Sequence, residues 1–136
     1  MKKVRLIILE SHHLMREAWM YALKNDERVE VAGGCTTHDE ALFLCDTERP
    51  DVLLFSIGMN LQNDFATIYQ ILRDFPGIKV IGMSINSRPM LAQKVMETGV
   101  HGFVTKSSSM EEMVKAILEV SEGNLYVCHE VRELTA

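Results

Sequence analysis

Side chains able to do chemistry gather where short apolar runs end: Glu10-Ser11-His12-His13, Ser56-Ile57-Gly58, Ser84 and Lys106. Glu10 with His12 and His13 has the donor types of a metal site. Adjacent histidines at a helix start point in different directions, however, and no third ligand follows at a workable spacing, so solvated loop histidines are the plainer reading. Ser56 and His12 offer a nucleophile and a base. Yet no G-x-S-x-G elbow surrounds Ser56 and no third residue is placed to orient the imidazole, which argues against a hydrolase. The loop at Glu10–His13 contains no glycine, so it supplies no amide cradle for nucleotide or flavin phosphates.

The elements that must position these residues alternate regularly. Val4–Leu9 is apolar enough to be a strand buried on both faces. His13–Lys24 follows as a helix, with Leu14, Ala18, Tyr21 and Ala22 at helical spacing and Met15 and Trp19 widening the face. Val29–Ala32 alternates as a half-exposed edge strand does, and Gly33-Gly34 ends it. Thr37-x-x-Glu40 is a capping box that opens a helix carrying Ala41, Leu44 and Cys45, broken at Arg49-Pro50. Asp51–Ile57 is the most apolar strand and belongs at the centre. Asp64 is placed to cap a helix with Phe65, Ile68, Ile71, Leu72 and Phe75 on one face, stopped at Pro76-Gly77. Ile78–Met83 forms the next strand, and Pro89 sits in the first turn of a helix closed by Gly99. Val100–Thr105 makes the last strand. Ser109-x-x-Glu112 is a second capping box, opening a helix with Met110, Met113, Val114 and Ile117 inward and Gly123 after it. Strand–helix alternation with short connections predicts a doubly wound parallel sheet covered on both faces. In such sheets ligands bind beyond the carboxyl ends of the strands, where the residues named first all lie.

Bulk properties narrow the function. The chain has 136 residues, 47% hydrophobic and 24% charged, an ordinary single-domain mixture. A formal charge of −5 makes it no nucleic-acid binder by bulk electrostatics. No apolar run approaches a membrane span, and the basic start Met1–Arg5 leads into too short an apolar stretch for a signal peptide. Cys35, Cys45 and Cys128 are odd in number and lack C-x-x-C spacing, which suits reduced thiols in a cytoplasm rather than zinc or disulfides.

Several segments together resemble the response-regulator receiver family. Leu9-Glu10-Ser11-His12-His13-Leu14-Met15-Arg16-Glu17 is similar to the stretch in which two acidic residues precede the first helix. Pro50–Ser56 looks like the strand ending in the phosphoacceptor aspartate, and Gly99–Lys106 like the segment carrying the switch aromatic and the pocket lysine. Met113–Val127, with Glu122-Gly123-Asn124-Leu125-Tyr126, is most similar to the NarL/LuxR-type branch. The resemblance implies a flavodoxin-like five-stranded parallel sheet of order 2-1-3-4-5, with a receiver domain over 1–123. Residues 124–136 then read as a C-terminal extension, or as the start of a linker to a helix-turn-helix domain. Carried over by position, Glu10 and Ser11 stand for the acidic pair and Ser56 for the acceptor. Gly58 becomes the backbone metal ligand, Ser84 the switch hydroxyl, Phe103 the switch aromatic and Lys106 the lysine.

The departures decide the expectation. Ser56 has no carboxylate and forms no acyl phosphate, and Mg²⁺ prefers carboxylate and water oxygens, of which only Glu10 is retained. The expected module has no catalytic residue and no resident metal or cofactor, binds Mg²⁺ weakly or not at all, and is no enzyme. It would regulate transcription by protein–protein contact or dimerisation. Lys106 is expected to pair with Glu10. The face of the fourth helix, fifth strand and fifth helix, with Lys94, Glu97, Glu111, Glu112, Lys115 and Glu119, is the candidate homodimer surface, and DNA would be met only through a domain after Ala136. The rivals are a phosphotransfer acceptor using Ser56 or Glu10, and a stand-alone receiver regulated by a ligand. Phe103 has two readings, a mobile switch or a packed strand aromatic.

Overall fold

A computed structural model describes residues 2–135. The elements alternate as β1 (Val4–Leu9), α1 (His13–Lys24), β2 (Val29–Cys35), α2 (His38–Glu48), β3 (Val52–Ser56) and α3 (Leu61–Asp74). They continue as β4 (Lys79–Ser84), α4 (Pro89–Glu97), β5 (Gly102–Thr105), α5 (Met110–Ser121), β6 (Tyr126–Val127) and α6 (His129–Thr135). Every strand pairing is parallel, in the order β2-β1-β3-β4-β5-β6. The doubly wound sheet and the order of its first five strands are as expected, and a sixth strand extends it. Leu6–Leu9, Val52–Phe55 and Val80–Met83 are buried throughout, because these central strands are covered on both faces. On one side α1 and α5 touch each other, and α2 packs against α3.

Four local expectations need correction. The buried face of α1 carries Trp19 and Leu23, while Leu14 and Tyr21 are 81% and 73% exposed. This helix has two apolar stripes of equal period, and its packing on β2 selects one. The packing is specific: a Cβ on Gly34 would lie 2.4 Å from Met20 Sδ. The second difference is that β2 does not stop at Gly33-Gly34 but runs through them to Cys35, with an irregularity opposite Leu6/Ile7. Third, Asn60 rather than Asp64 caps α3, its Oδ1 accepting from Asn63 N at 3.0 Å. Fourth, the Ser109 box is half built. Ser109 Oγ accepts from Glu112 N at 3.0 Å, but the Glu112 carboxylate accepts instead from Tyr126 Oη at 2.9 Å and His129 N at 2.6 Å. The Thr37–Glu40 box is complete, and Pro89 occupies the first turn of α4.

Residues 124–135, read in the sequence as an extension or linker start, hold β6 and α6. Gly102 makes room for β6, because a Cβ there would sit 3.2 Å from the Tyr126 carbonyl oxygen. β6 takes the edge of β5 and α6 packs on α4, so both lie across part of the α4–β5–α5 face.

Candidate functional site

The strand ends converge as the topology requires. Glu10 leaves β1 fully buried, its amide donating to Cys35 O at 3.0 Å. Its carboxylate is fully engaged: Lys106 Nζ donates to Oε1 at 2.5 Å, and the His12 amide donates to Oε2 at 3.0 Å. His12 Nδ1 lies 3.1 Å from the same Oε2. Burial pushes the Glu10 carboxyl up, but the Lys106 ammonium and the His12 amide outweigh it and hold the group below the usual carboxylate range. Arg16 fixes the turn from behind, donating from Nη1 to Glu10 O at 2.9 Å. The Glu10–Lys106 pairing anticipated from charge alone is therefore present. Its setting differs from the solvent-exposed case, because the two side chains are 0% and 6% exposed.

The other residues singled out in the sequence surround this pair. Ser11 is exposed, and Ser56 is half-buried at the end of β3. Among the described residues the Ser56 hydroxyl has no hydrogen-bond partner. Ser84 is buried; its Oγ accepts from Asn86 N at 3.0 Å, and its carbonyl accepts the Lys106 amide at 2.8 Å, tying the ends of β4 and β5 together. Phe103 is fully buried on β5, paired in register with Gly82 and Val127. Ser11, Ser56, Gly58, Ser84 and Lys106 line one open cavity of about 460 Å³.

Sequence reasoning missed what holds the far wall of this cavity. Asp64, on the first turn of α3, is buried; its Oδ2 accepts from Gly58 N at 2.8 Å and its Oδ1 pairs with His38 Nε2 at 3.2 Å. His38 Nδ1 in turn meets Thr67 Oγ1 at 2.7 Å, and the ring lies 5.2 Å from that of Phe55. An Asp within a helical first turn was the available signal, but a cap was the simpler reading of it. Also missed was Glu130 of α6, which accepts from Thr105 Oγ1 at 2.8 Å and Ser107 Oγ at 3.1 Å, next to Lys106. The Thr105 hydroxyl, followed by that of Ser107, holds the Glu130 carboxyl below its ordinary range. We expect Glu130→Ala to raise amide hydrogen exchange selectively over residues 129–134. Unchanged exchange there would mean that apolar packing alone holds α6.

The thiols stand apart from this chemistry. Cys35, Cys45 and Cys128 are buried and unpaired. Burial pushes Cys35 up to about 12 and Cys45 up to about 11, so neither is a thiolate near neutrality. Among the described residues no three His, Cys, Asp or Glu side chains gather as a metal cluster, and no helix is long and apolar enough to cross a membrane.

A doubly wound parallel sheet with a pocket at the strand ends, beside a buried acid–lysine pair, is the architecture of a signalling receiver. The family model for the response regulator receiver domain matches residues 6–118, and the chain belongs to that family. It is 26% identical to response regulator GacA of Pseudomonas aeruginosa over 133 residues, covering 98% of this chain and 62% of that protein. It is 24% identical to response regulator UvrY of Escherichia coli, covering 98% and 61% of the two chains. The chain thus spans about three-fifths of the length of these relatives. Among solved structures, the signal receiver domain of the response regulator NarL from Mycobacterium tuberculosis is 30% identical, with a TM-score of 0.81, covering 91% of this chain and all of that one. The isolated receiver domain of RcsB from Salmonella enterica serovar Typhimurium superposes with a TM-score of 0.85 at 20% identity, over 98% of this chain and 99% of its own. The chain is thus a response regulator receiver domain, similar to that of the NarL response regulator.

Proposed function

We propose that this receiver works without aspartyl phosphorylation, as a regulatory binding module. One observation carries the reading: Glu10, the one carboxylate among the pocket positions that the family resemblance assigns, is buried with both oxygens already engaged by Lys106 and the His12 amide. Ser56 brings a hydroxyl where an acyl phosphate needs a carboxylate. A hydroxyl also needs an adjacent base to become nucleophilic, and His12 is held by Glu10. The donor set does not fit Mg²⁺, because two neutral serine oxygens and an occupied carboxylate replace the anionic oxygens that such an ion selects.

Regulation then runs through protein contacts. RcsB, a structural relative, is known in complex with DNA. For this chain we propose transcriptional output through a DNA-binding segment outside these residues, with homodimerisation through the α4–β5–α5 face as α6 and β6 complete it.

Acetyl phosphate with Mg²⁺, read by intact mass, tests the reading. No phosphate-sized gain is expected, and an acid-stable, hydroxylamine-labile adduct on any carboxylate would overturn it. Ser56→Asp should recover Mg²⁺ binding only partly, and Ser11→Asp/Ser56→Asp should bind at least about tenfold tighter than Ser56→Asp alone, because each added carboxylate acts at short range. Tight Mg²⁺ binding by Ser56→Asp alone would contradict the account of the pocket.

A further inference from the structure

The cavity over Ser56 has an uneven balance of donors and acceptors. The Ser56 hydroxyl has no partner among the described residues. Ser84 Oγ accepts from Asn86 N and donates to nothing described. Lys106 spends one N–H on Glu10. Arg88, exposed at the rim, uses its backbone amide on Asn86 Oδ1 at 2.8 Å, while its guanidinium enters no ion pair or side-chain hydrogen bond among the described residues. On the acceptor side, the Glu10 oxygens are already occupied. The pocket therefore offers hydrogen-bond donors and has no free carboxylate among its lining side chains. Its charge is uneven as well, since Glu10 and Lys106 cancel and Arg88 leaves one positive charge in a lining that also holds the exposed imidazole of His12.

The walls are apolar. Met59, Leu61, Ile85 and Leu91 line the same cavity, with Met59 fully exposed and Ile85 at 73%. Large apolar side chains left to water around one concavity mark a place that something else covers. A volume of about 460 Å³ lies within the range of small-molecule sites, which combine apolar walls with a few placed polar groups.

We infer that this pocket binds a small monocarboxylate with an apolar body, such as an aryl-alkyl or medium-chain acid. The carboxylate would accept from the Ser56 and Ser84 hydroxyls and face Arg88, and the body would cover Met59, Ile85 and Leu91. The inference rests on the reading above that no phosphoryl group occupies the pocket. An inorganic phosphate has no body to cover the rim, and a dianion finds only one uncompensated charge.

Titration of the whole chain with 3-phenylpropionate and with octanoate, followed by amide NMR, tests it. Saturable one-to-one shifts are expected at residues 56–59 and 84–88. Arg88→Gln and Ile85→Asp, both exposed changes, should each weaken binding at least about tenfold, as should replacing 3-phenylpropionate by the neutral 3-phenylpropanol. The proposal is overturned by the absence of saturable shifts with either acid, by shifts centred on the α4–α6 groove around Met90 and Val131, by undiminished binding in both variants, or by phosphate binding as tightly as the acids. The two readings fail separately. A phosphoryl adduct in the mass experiment removes the first, whereas a silent titration of adduct-free protein removes only the second.

Discussion

Replacing Lys106 by Met is expected to lower the unfolding free energy by about 3–5 kcal/mol at pH 7, the usual cost of leaving one member of a buried ion pair uncompensated. The cause is Glu10, which is fully buried and would keep only the His12 contacts. Burial would then push its carboxyl up against those contacts alone, and the group would meet neutral solution either charged without its cation or protonated. The pH dependence follows with a definite sign. In the native chain the Glu10 carboxyl is depressed, so its contribution is fully present above the ordinary value of about 4.3 and is lost as pH falls through the depressed value. In Lys106→Met we expect the folded-state value to lie above the unfolded one, because burial, the largest influence on Glu10, is then opposed only by the His12 contacts; the penalty is then full at neutral pH and shrinks as pH falls toward the carboxylate range. The gap between the two proteins should therefore narrow steadily from pH 7 to pH 4. Glu10→Gln/Lys106→Met should recover most of the loss, because no buried charge remains. Urea unfolding at both pH values checks this. A loss below about 1 kcal/mol at pH 7 would mean that the pair behaves as a solvated surface contact.

Phe103→Ala should cost about 3–5 kcal/mol, the penalty for emptying a fully packed aromatic site. Phe103 is 0% exposed on β5, between Gly82 on one side and Val127 on the other. That position supports the packed reading of this aromatic over the mobile one. A ring that swung out to solvent would leave a void beneath β6, which holds β5 through only two residues. The same variant should loosen β6 and α6 together, seen as faster exchange at Val127 and Cys128. A cost near zero with unchanged exchange would show that the ring spends much of its time outside the core.

These two residues also show where sequence reasoning reached and where it stopped. Lys106 and Glu10 were identifiable as partners because they were the opposite charges left at the strand ends, yet their burial was not legible. Exposure depends on how the turn holding His12 and Arg16 meets the end of β5, and those two segments are distant in the chain. Phe103 was legible as a strand residue but not as a fully enclosed one, since a two-residue strand has no period to read.

What the sequence determined by itself was local. Continuous apolar runs, the Thr37–Glu40 box and Pro89 act within a few residues, and they set the strands, the helices and hence which residues leave the strand ends. The absence of a carboxylate at position 56 was equally plain. Only tertiary structure decided the rotation of α1 onto Gly34, the closure of β6 over Gly102, and the use of Asp64 to hold Gly58 and pair with His38 rather than to cap a helix. Glu10 and Lys106 meet across 96 positions. Such contacts form where two elements are pressed together, and side-chain volume and hydrogen-bond supply at that meeting point carry no imprint in either segment alone.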